Sequence, residues 1–321
     1  MYGSNKFNPT LNERTKMIDL FKTRSHLSQQ PLYHVRGNHD FEYPYDYYLQ
    51  YSLMHANWLP RYKWYSESFT LKDDQKKKAL FLFIDTDLIF CAYNIKRMAN
   101  CTVSDQEEYI LQDQWLTQEL ANSQNDTSII WKFVVAHHPI FQKQELDELV
   151  LVMDLLHNFM KYKVDFYLNG HEHMQLHAFF ERDIQKHNSE LKYNDFYDNL
   201  SLKNRSNMNT NYFWRNTTTF TQRQSLDQGI LTFKKSENLL HQVIDGSGGK
   251  DMHFSNQNQR SRGQYSFIQS QYFGFTHLKI TSKEVEFTFK SSEFAHFLNG
   301  LSSSFIPNAF DQMKIKVIND L

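Results

Sequence analysis

Hydrophobic positions along the chain gather in short runs that are each followed by a polar cluster. Four such runs, at 31–36, 79–84, 131–136 and 164–169, are rich in β-branched and aromatic residues. Continuous apolar runs of this length are typical of strands buried on both faces. The clusters that follow them are Gly37-Asn38-His39-Asp40, Asp85-Thr86-Asp87, His137-His138-Pro139 and Gly170-His171-Glu172-His173.

Between these runs, hydrophobic residues recur at helical spacing over 12–24, 104–123 and 145–163. The middle segment begins with Ser104, a good N-cap, and Glu107 three residues later completes a capping-box pattern. Strands that alternate with helices predict an α/β layered fold. Ligands in such folds bind beyond the carboxyl ends of the strands, so we expect the four polar clusters to share one site.

The second half of the chain has a different pattern. Residues 181–237 are rich in Asn, Ser and Thr, which predicts a surface insertion. Strand patterns resume at 239–249, 273–281 and 283–291, and the last two form a predicted hairpin around Ser282. The domain is therefore predicted to span 1–301, with a C-terminal tail at 302–321 for which no element is predicted.

Composition narrows the classes of function. The formal net charge of −1 over 321 residues provides no basic field, so we expect no nucleic-acid partner. No run approaches 18 apolar residues, so no membrane span is expected. The first ten residues have no signal-peptide pattern. Cys91 and Cys101 either close one loop as a disulfide or stay free thiols, and the sequence favours neither.

The histidines at the strand ends predict a metal site. His171 and His173 lie two positions apart after one run, His137 follows another run, and Asn38 follows a third. Neutral imidazoles suit zinc, iron and manganese, and an asparagine side-chain oxygen is an acceptable ligand. Each cluster alone is compatible with a turn, but all three in this order after apolar runs indicate converging ligands.

Three of these motifs resemble a known family. In this order, the segments GNHD at 37–40, VVAHHP at 134–139 and YLNGHEH at 167–173 look like three of the five motifs of calcineurin-like metallophosphoesterases. The resemblance is nearest to tartrate-resistant, purple acid phosphatase-type enzymes and covers most of the chain outside the insertion and the tail. It implies a four-layer αββα sandwich, which would be incomplete at its N-terminus because the first two motifs are absent.

The resemblance also implies a chemistry. Family members hydrolyse phosphate monoesters by metal-bound hydroxide at two metal ions, iron paired with iron, zinc or manganese. By resemblance, Asn38, His137 and His171 would ligate one ion and His173 the other. His39 would act on the phosphate ester as acid or electrostatic partner, with Asp40 orienting its ring. The substrate would be a small phosphate ester or a phosphoprotein, and the protein would be secreted or lysosome-like.

The sequence departs from the family pattern upstream of Asn38. The two aspartates of the first two motifs, one of which bridges the metals, are absent, and Tyr2 stands where the family's metal-binding Tyr would lie. At most one well-ligated ion is therefore expected. Either the sequence begins inside the second motif, or the protein is an inactive phosphatase-like module that binds a protein partner. His138, which stands where the subfamily tends to have Tyr, is expected to alter substrate contacts without removing a ligand.

Overall fold

The fold was analysed in a computed structural model. The structure describes residues 30–41, 58–59, 62–93, 101–140, 150–181, 224–227, 230–235, 239–248, 264–269, 273–291 and 312–319. The predicted helix at 12–24, most of the predicted insertion and Tyr2 lie outside the described residues.

A seven-stranded mixed sheet forms the centre of the fold. Its strand order is β11-β7-β10-β6-β5-β4-β3, and β4, β5, β6 and β10 are parallel neighbours, whereas β3, β7 and β11 pair antiparallel. The bounds are β3 Tyr65–Thr70, β4 Lys78–Phe83, β5 Ile129–Val135, β6 Phe166–Asn169, β7 Gln175–Glu181, β10 Leu239–Asp245 and β11 Gln264–Gln269. The runs at 79–84, 131–136 and 164–169 are thus strands of one sheet, as predicted.

Helices cover one face of this sheet. They are α2 Thr86–Ala92, α3 Val103–Asn125 and α4, in which a π-helical segment, Val152–Leu156, continues as an α-helix, His157–Lys161. Leu116 and Leu120 of α3 and Phe159 of α4 are buried against Val134 and Tyr167 of the sheet. Fully burying a side chain of this size stabilises the fold by about 1.5–3 kcal/mol.

A five-stranded sheet packs on the opposite face. Its order is β12-β13-β14-β9-β8, with β8 Gln224–Asp227, β9 Ile230–Lys234, β12 Gly274–Ile280, β13 Glu284–Ser291 and β14 Gln312–Ile318. Aromatic residues fill the space between the sheets: Phe166 lies 4.7 Å from Phe133 and 5.2 Å from Phe287 between ring centroids, and Phe179 lies 5.2 Å from Phe233. The fold is therefore the predicted α/β sandwich with two sheets. Among the described residues, the helices form one layer on the seven-stranded sheet.

Two local predictions were wrong. The run at 31–36 is not a long buried strand: only β1 Leu32–Tyr33 is extended, half-buried, and paired with β2 Trp58–Leu59 in a two-stranded sheet. The Tyr65 hydroxyl bonds both the backbone N and O of His34 at 2.9 Å, so these groups are not available for strand pairing.

The second wrong prediction concerns the start of α3. Thr102, not Ser104, is its N-cap, because the Thr102 hydroxyl accepts from the Asp105 backbone N–H while the Asp105 carboxylate accepts from the Thr102 N–H at 2.7 Å. The capping box is thus present two residues earlier than predicted.

Strands β12 and β13 form the predicted hairpin, paired from Gly274 with Ser291 to Ile280 with Val285. Strand β14 lies in the segment for which no element was predicted, between β13 and β9. Strands β8 and β9 lie within the segment predicted as an insertion. The division of the chain at 181–237 and 302–321 stays a prediction. No helix in the described part of the chain has the length and apolar character that crossing a membrane requires.

Candidate metal centre

The carboxyl ends of β4, β5 and β6 bring three polar clusters to one edge of the seven-stranded sheet. Backbone hydrogen bonds extend the pairing past the strands, from Ala136 N to Leu168 O at 3.0 Å and from Gly170 N to His137 O at 3.1 Å. The loop after β5 is therefore fixed beside the loop after β6. This fixes the positions of His137 and His171 relative to one another.

Asn38, His137 and His171 meet at this edge. The Nε2 atom of His137 lies 2.9 Å from the Asn38 side-chain oxygen and 3.2 Å from Nδ1 of His171. His171 has a φ of 64°, a left-handed conformation that is uncommon for a residue with a side chain. Such backbone geometry is concentrated at functional sites. Three of the predicted ligands are thus together in the structure.

Gly37 allows this approach. Asn38 begins a single helical turn, α1 Asn38–Phe41. The carbonyl oxygen of Gly37 accepts hydrogen bonds from the backbone N–H groups of Asp40 and Phe41. A Cβ added at Gly37 would lie 2.7 Å from the His137 ring, which is shorter than any ordinary contact. Asp40 closes the turn, because its carboxylate accepts a hydrogen bond from the Gly37 N–H at 3.0 Å. A side chain at position 37 would therefore separate Asn38 from His137.

His138 is the third imidazole at the centre. One nitrogen each of His137, His138 and His171 lies within 4.8 Å of the others, a spacing that could hold a metal ion. The buried His138 ring bonds Thr86 at the start of α2, with 2.8 Å between Nδ1 and Oγ1. Sequence reasoning treated His138 as a change in substrate contacts and did not place it among these nitrogens. The consecutive histidines after an apolar run were the available signal.

Burial keeps His137 and His138 uncharged at neutral pH. It lowers the pKa of His137 to about 3, with a further contribution from His171, and Asp40 opposes the shift. Burial also lowers the pKa of His138 well below its usual value, as do the two neighbouring histidines to a smaller extent. Uncharged imidazole is the form that binds metals.

A buried polar layer supports the centre. The Arg36 guanidinium pairs with Asp85, with 2.6 Å between Nε and Oδ2, and Gln112 of α3 holds the Asp85 backbone through bonds of 2.8 and 3.0 Å. Burial raises the pKa of Asp87 well above its usual value, and the neighbouring Asp85 adds to this shift. Neither carboxyl oxygen of Asp87 has a hydrogen-bond partner among the described residues. The layer fixes the end of β4 and the start of α2.

Two of the remaining predicted site residues, His39 and His173, flank these ligands in the chain. His39 is half-buried on α1 beside Asn38. His173, also half-buried, follows His171 by two residues but does not belong to the group of three imidazoles. Tyr2 lies outside the described residues. The roles of all the predicted site residues, as ligands or as catalytic groups, stay predictions.

Comparison with known proteins gives the class. The family model for calcineurin-like phosphoesterases matches residues 5–175, more than half of the 321 residues. The chain therefore belongs to the calcineurin-like phosphoesterase family, which confirms the resemblance seen in the motifs. No curated protein sequence matches the chain significantly.

Comparison with solved structures gives one neighbour that is similar in fold and two weaker matches. GAP50, the anchor in the inner membrane complex of Plasmodium, superposes with a TM-score of 0.56 at 17% identity, over 91% of this chain and 73% of that chain. The purple acid phosphatase PPD1 from yellow lupin (Lupinus luteus) seeds has a TM-score of 0.43 at 16% identity, over 79% and 33%. PhoD has a TM-score of 0.37 at 10% identity, over 70% and 38%.

Proposed function

We propose that the protein is a metal-dependent phosphatase of the acid-phosphatase type that hydrolyses phosphate monoesters. The observation that carries this proposal is the convergence of the Asn38 oxygen on His137 Nε2, at 2.9 Å, beside His171 Nδ1. The three side chains come from three separate segments of the chain. The chain belongs to a family whose members act on phosphoesters.

The donor set fits a transition-metal ion. One amide oxygen and two imidazole nitrogens suit iron, zinc or manganese, and His137 is held uncharged by burial. A bound ion would supply a Lewis acid that polarises the phosphoryl group and activates water near neutral pH. We expect one well-ligated ion at these residues, while a second ion, on His173, belongs to the complete two-metal site of the family.

The residues around the ligands supply the rest of the chemistry. His39 follows Asn38 on the same helical turn and would protonate the leaving alkoxide of an ester bound at the ligands. Asp40 holds the turn closed through the Gly37 N–H, so it fixes Asn38 and His39 together. The substrate would be a small phosphate ester or a phosphoprotein.

A second candidate is a non-catalytic module that binds a protein partner. Among the described residues, the group that could hold a metal contains three imidazoles and no carboxylate, although a carboxylate bridge is needed to hold two cations close together. The structural neighbour GAP50 is described as an anchor. This candidate predicts one weakly bound ion and no turnover.

Metal analysis combined with phosphate-ester hydrolysis tests the proposal. We expect purified protein to bind zinc or iron and to hydrolyse p-nitrophenyl phosphate. The variant His137→Ala should lose metal, whereas His39→Ala should keep it and lower kcat by about 10²-fold or more, the usual contribution of a general acid. The exposed His277, replaced in His277→Ala, is the matched control.

The outcomes separate the two candidates. Metal binding without hydrolysis of any phosphate monoester favours the binding module. Loss of metal from His39→Ala would show that His39 is a ligand. Hydrolysis that is unaffected by His137→Ala would contradict the proposed site.

A further inference from the structure

The hydroxyl of Thr86 lies within hydrogen-bond distance of one nitrogen of the His138 ring. Thr86 is fully buried at the start of α2 and its Oγ1 lies 2.8 Å from His138 Nδ1. The same oxygen accepts the backbone N–H of His138 at 3.4 Å. A buried hydroxyl also needs an acceptor for its own hydrogen. Among the described residues, His138 Nδ1 is the acceptor within hydrogen-bond distance of this hydroxyl.

This pattern favours one tautomer of the ring. When Nδ1 accepts the Thr86 hydrogen, the hydrogen of an uncharged imidazole is on Nε2. In this tautomer the Nδ1 lone pair accepts the Thr86 hydrogen and Nε2 carries a hydrogen, so His138 is a hydrogen-bond donor through Nε2. The group of three imidazoles therefore divides into two ligands, His137 and His171, and one donor.

We infer that His138 binds an anionic oxygen of phosphate through its Nε2–H, and that Thr86 is the positioning residue that holds it in this tautomer. This inference rests on the proposed phosphatase function, because it assigns a substrate contact at the same centre. A ring nitrogen of His138 lies within 4.8 Å of ring nitrogens of His137 and His171, so a ligand held by that pair is close to this ring.

The ring is also held in place on its other sides. Its centroid is 4.5 Å from that of His171 and 4.8 Å from that of Phe90, which meets it edge to face. The Tyr167 hydroxyl donates to the His138 carbonyl at 2.6 Å and fixes the backbone. A donor fixed before the ligand arrives needs no reorganisation when it binds developing negative charge.

The tautomer can be measured without activity. Nitrogen-15 NMR of histidine-labelled protein distinguishes protonated from unprotonated ring nitrogens, and the variant His138→Phe assigns the signals. We expect Nε2–H at His138 in the wild type and in Thr86→Ser, and a shift toward Nδ1–H in Thr86→Val. The exchange Thr288→Val at a second buried threonine is the matched control. Nδ1–H in the wild type would overturn the inference.

Calorimetry with inorganic phosphate on zinc-loaded protein tests the contact itself. We expect His138→Phe and Thr86→Val to weaken phosphate binding by about 10-fold or more, since a hydrogen bond to a charged group contributes this much. Zinc content should stay unchanged, and His138→Gln, which keeps a donor, should restore part of the affinity. His277→Phe serves as the control for a histidine exchange at an exposed position.

Each result has a distinct consequence. If His138→Phe loses zinc, His138 is a ligand and the inference fails while the phosphatase proposal stands. If wild-type protein binds zinc but no phosphate, the phosphatase proposal and the contact both fail. If His138→Phe binds phosphate as tightly as the wild type, only the contact fails.

Discussion

A buried carboxyl group, Asp154, shows how one residue can make stability depend on pH. It lies in the π-helical segment of α4 and its Oδ1 accepts hydrogen bonds from Tyr109 at 2.5 Å and Tyr93 at 3.1 Å. Burial raises the pKa of Asp154 to about 6, the two tyrosine bonds oppose this shift, and Asp113 adds to it. The uncharged carboxyl group is therefore more favourable in the folded protein than in the unfolded chain.

We predict that Asp154→Asn stabilises the protein at alkaline pH. A raised pKa in the folded state means that the stabilisation is present below the unfolded value of 3.8 and is lost as pH rises through about 6. The rise in the pKa of Asp154 from 3.8 to about 6 corresponds to about 3 kcal/mol of unfolding free energy. Asparagine stays uncharged and still accepts from both tyrosines. Urea denaturation should show the variant about 3 kcal/mol more stable at pH 8 and nearly equal to the wild type at pH 4.

Glu107→Gln, at an exposed carboxylate of α3, is the control for Asp154→Asn and should leave both free energies unchanged. Equal stability of Asp154→Asn and the wild type at pH 8 would show that the carboxylate is not strained by burial.

At the residue scale, the sequence predicted which side chains meet at the candidate centre better than it predicted their supporting contacts. Asn38, His137 and His171 were predicted because each follows an apolar run. The bond from Thr86 to His138 joins residues 52 positions apart and follows from the register of β4 beside β5. Periodicity does not encode such a register, so the contact could not be predicted.

Helices α2 and α3 are joined by a covalent link. Cys91 in α2 and Cys101 just before α3 form a disulfide, with 5.5 Å between their Cα atoms. The sequence left a disulfide and two free thiols equally open, and the structure has the disulfide. The two cysteines are ten positions apart in the sequence, and the bond lies directly before the Thr102 N-cap.

We predict that Cys91→Ala/Cys101→Ala costs about 2–3 kcal/mol of unfolding free energy. A cross-link over a loop of this length removes that much chain entropy from the unfolded state in the loop-closure model. Thermal unfolding of the wild type in reducing agent should match the variant, while the variant itself should not respond to reducing agent. A wild type that is equally stable oxidised and reduced would contradict the prediction.

At the element scale, strands that cross the middle of the sheet were predictable and terminal pieces were not. Strands β4, β5 and β6 are buried on both faces, so their composition alone identifies them. The segment that became β1 has a similar composition, but bonds from the Tyr65 hydroxyl to the His34 backbone limit its pairing. Strand β14 gains its burial only by lying between β13 and β9, which is a property of the assembled sheet.

At the scale of the whole molecule, two histidines lie between the sheets. His177 of β7 and His241 of β10 are buried, with 3.0 Å between Nε2 of the first and Nδ1 of the second. Their rings pack on Phe233 of the five-stranded sheet, each with a centroid distance of 5.2–5.4 Å. Burial lowers the pKa of His241 to about 3 and that of His177 well below its usual value. Both are therefore uncharged at neutral pH.

This pair should make the packing of the two sheets sensitive to acid. A lowered pKa in the folded state gives stabilisation that is present above the unfolded value of 6.5 and is lost as pH falls toward the folded value. A pH of 5 is about 1.5 pH units below the unfolded pKa of each histidine. The pair therefore accounts for about 4 kcal/mol of lost stability. The double substitution His177→Leu/His241→Leu removes both titrating groups and leaves no unpaired partner. We therefore expect it to change the free energy of unfolding little at pH 7.5. Urea denaturation at pH 7.5 and pH 5 should show that the stability difference between the two pH values shrinks by about 4 kcal/mol in the double variant.

His137 and His138 titrate in both proteins, so the comparison isolates the inter-sheet pair. The variant His277→Leu, at an exposed position, should retain the wild-type difference. An undiminished difference in the double variant would place the acid sensitivity elsewhere, with the metal-centre histidines as the next groups to test.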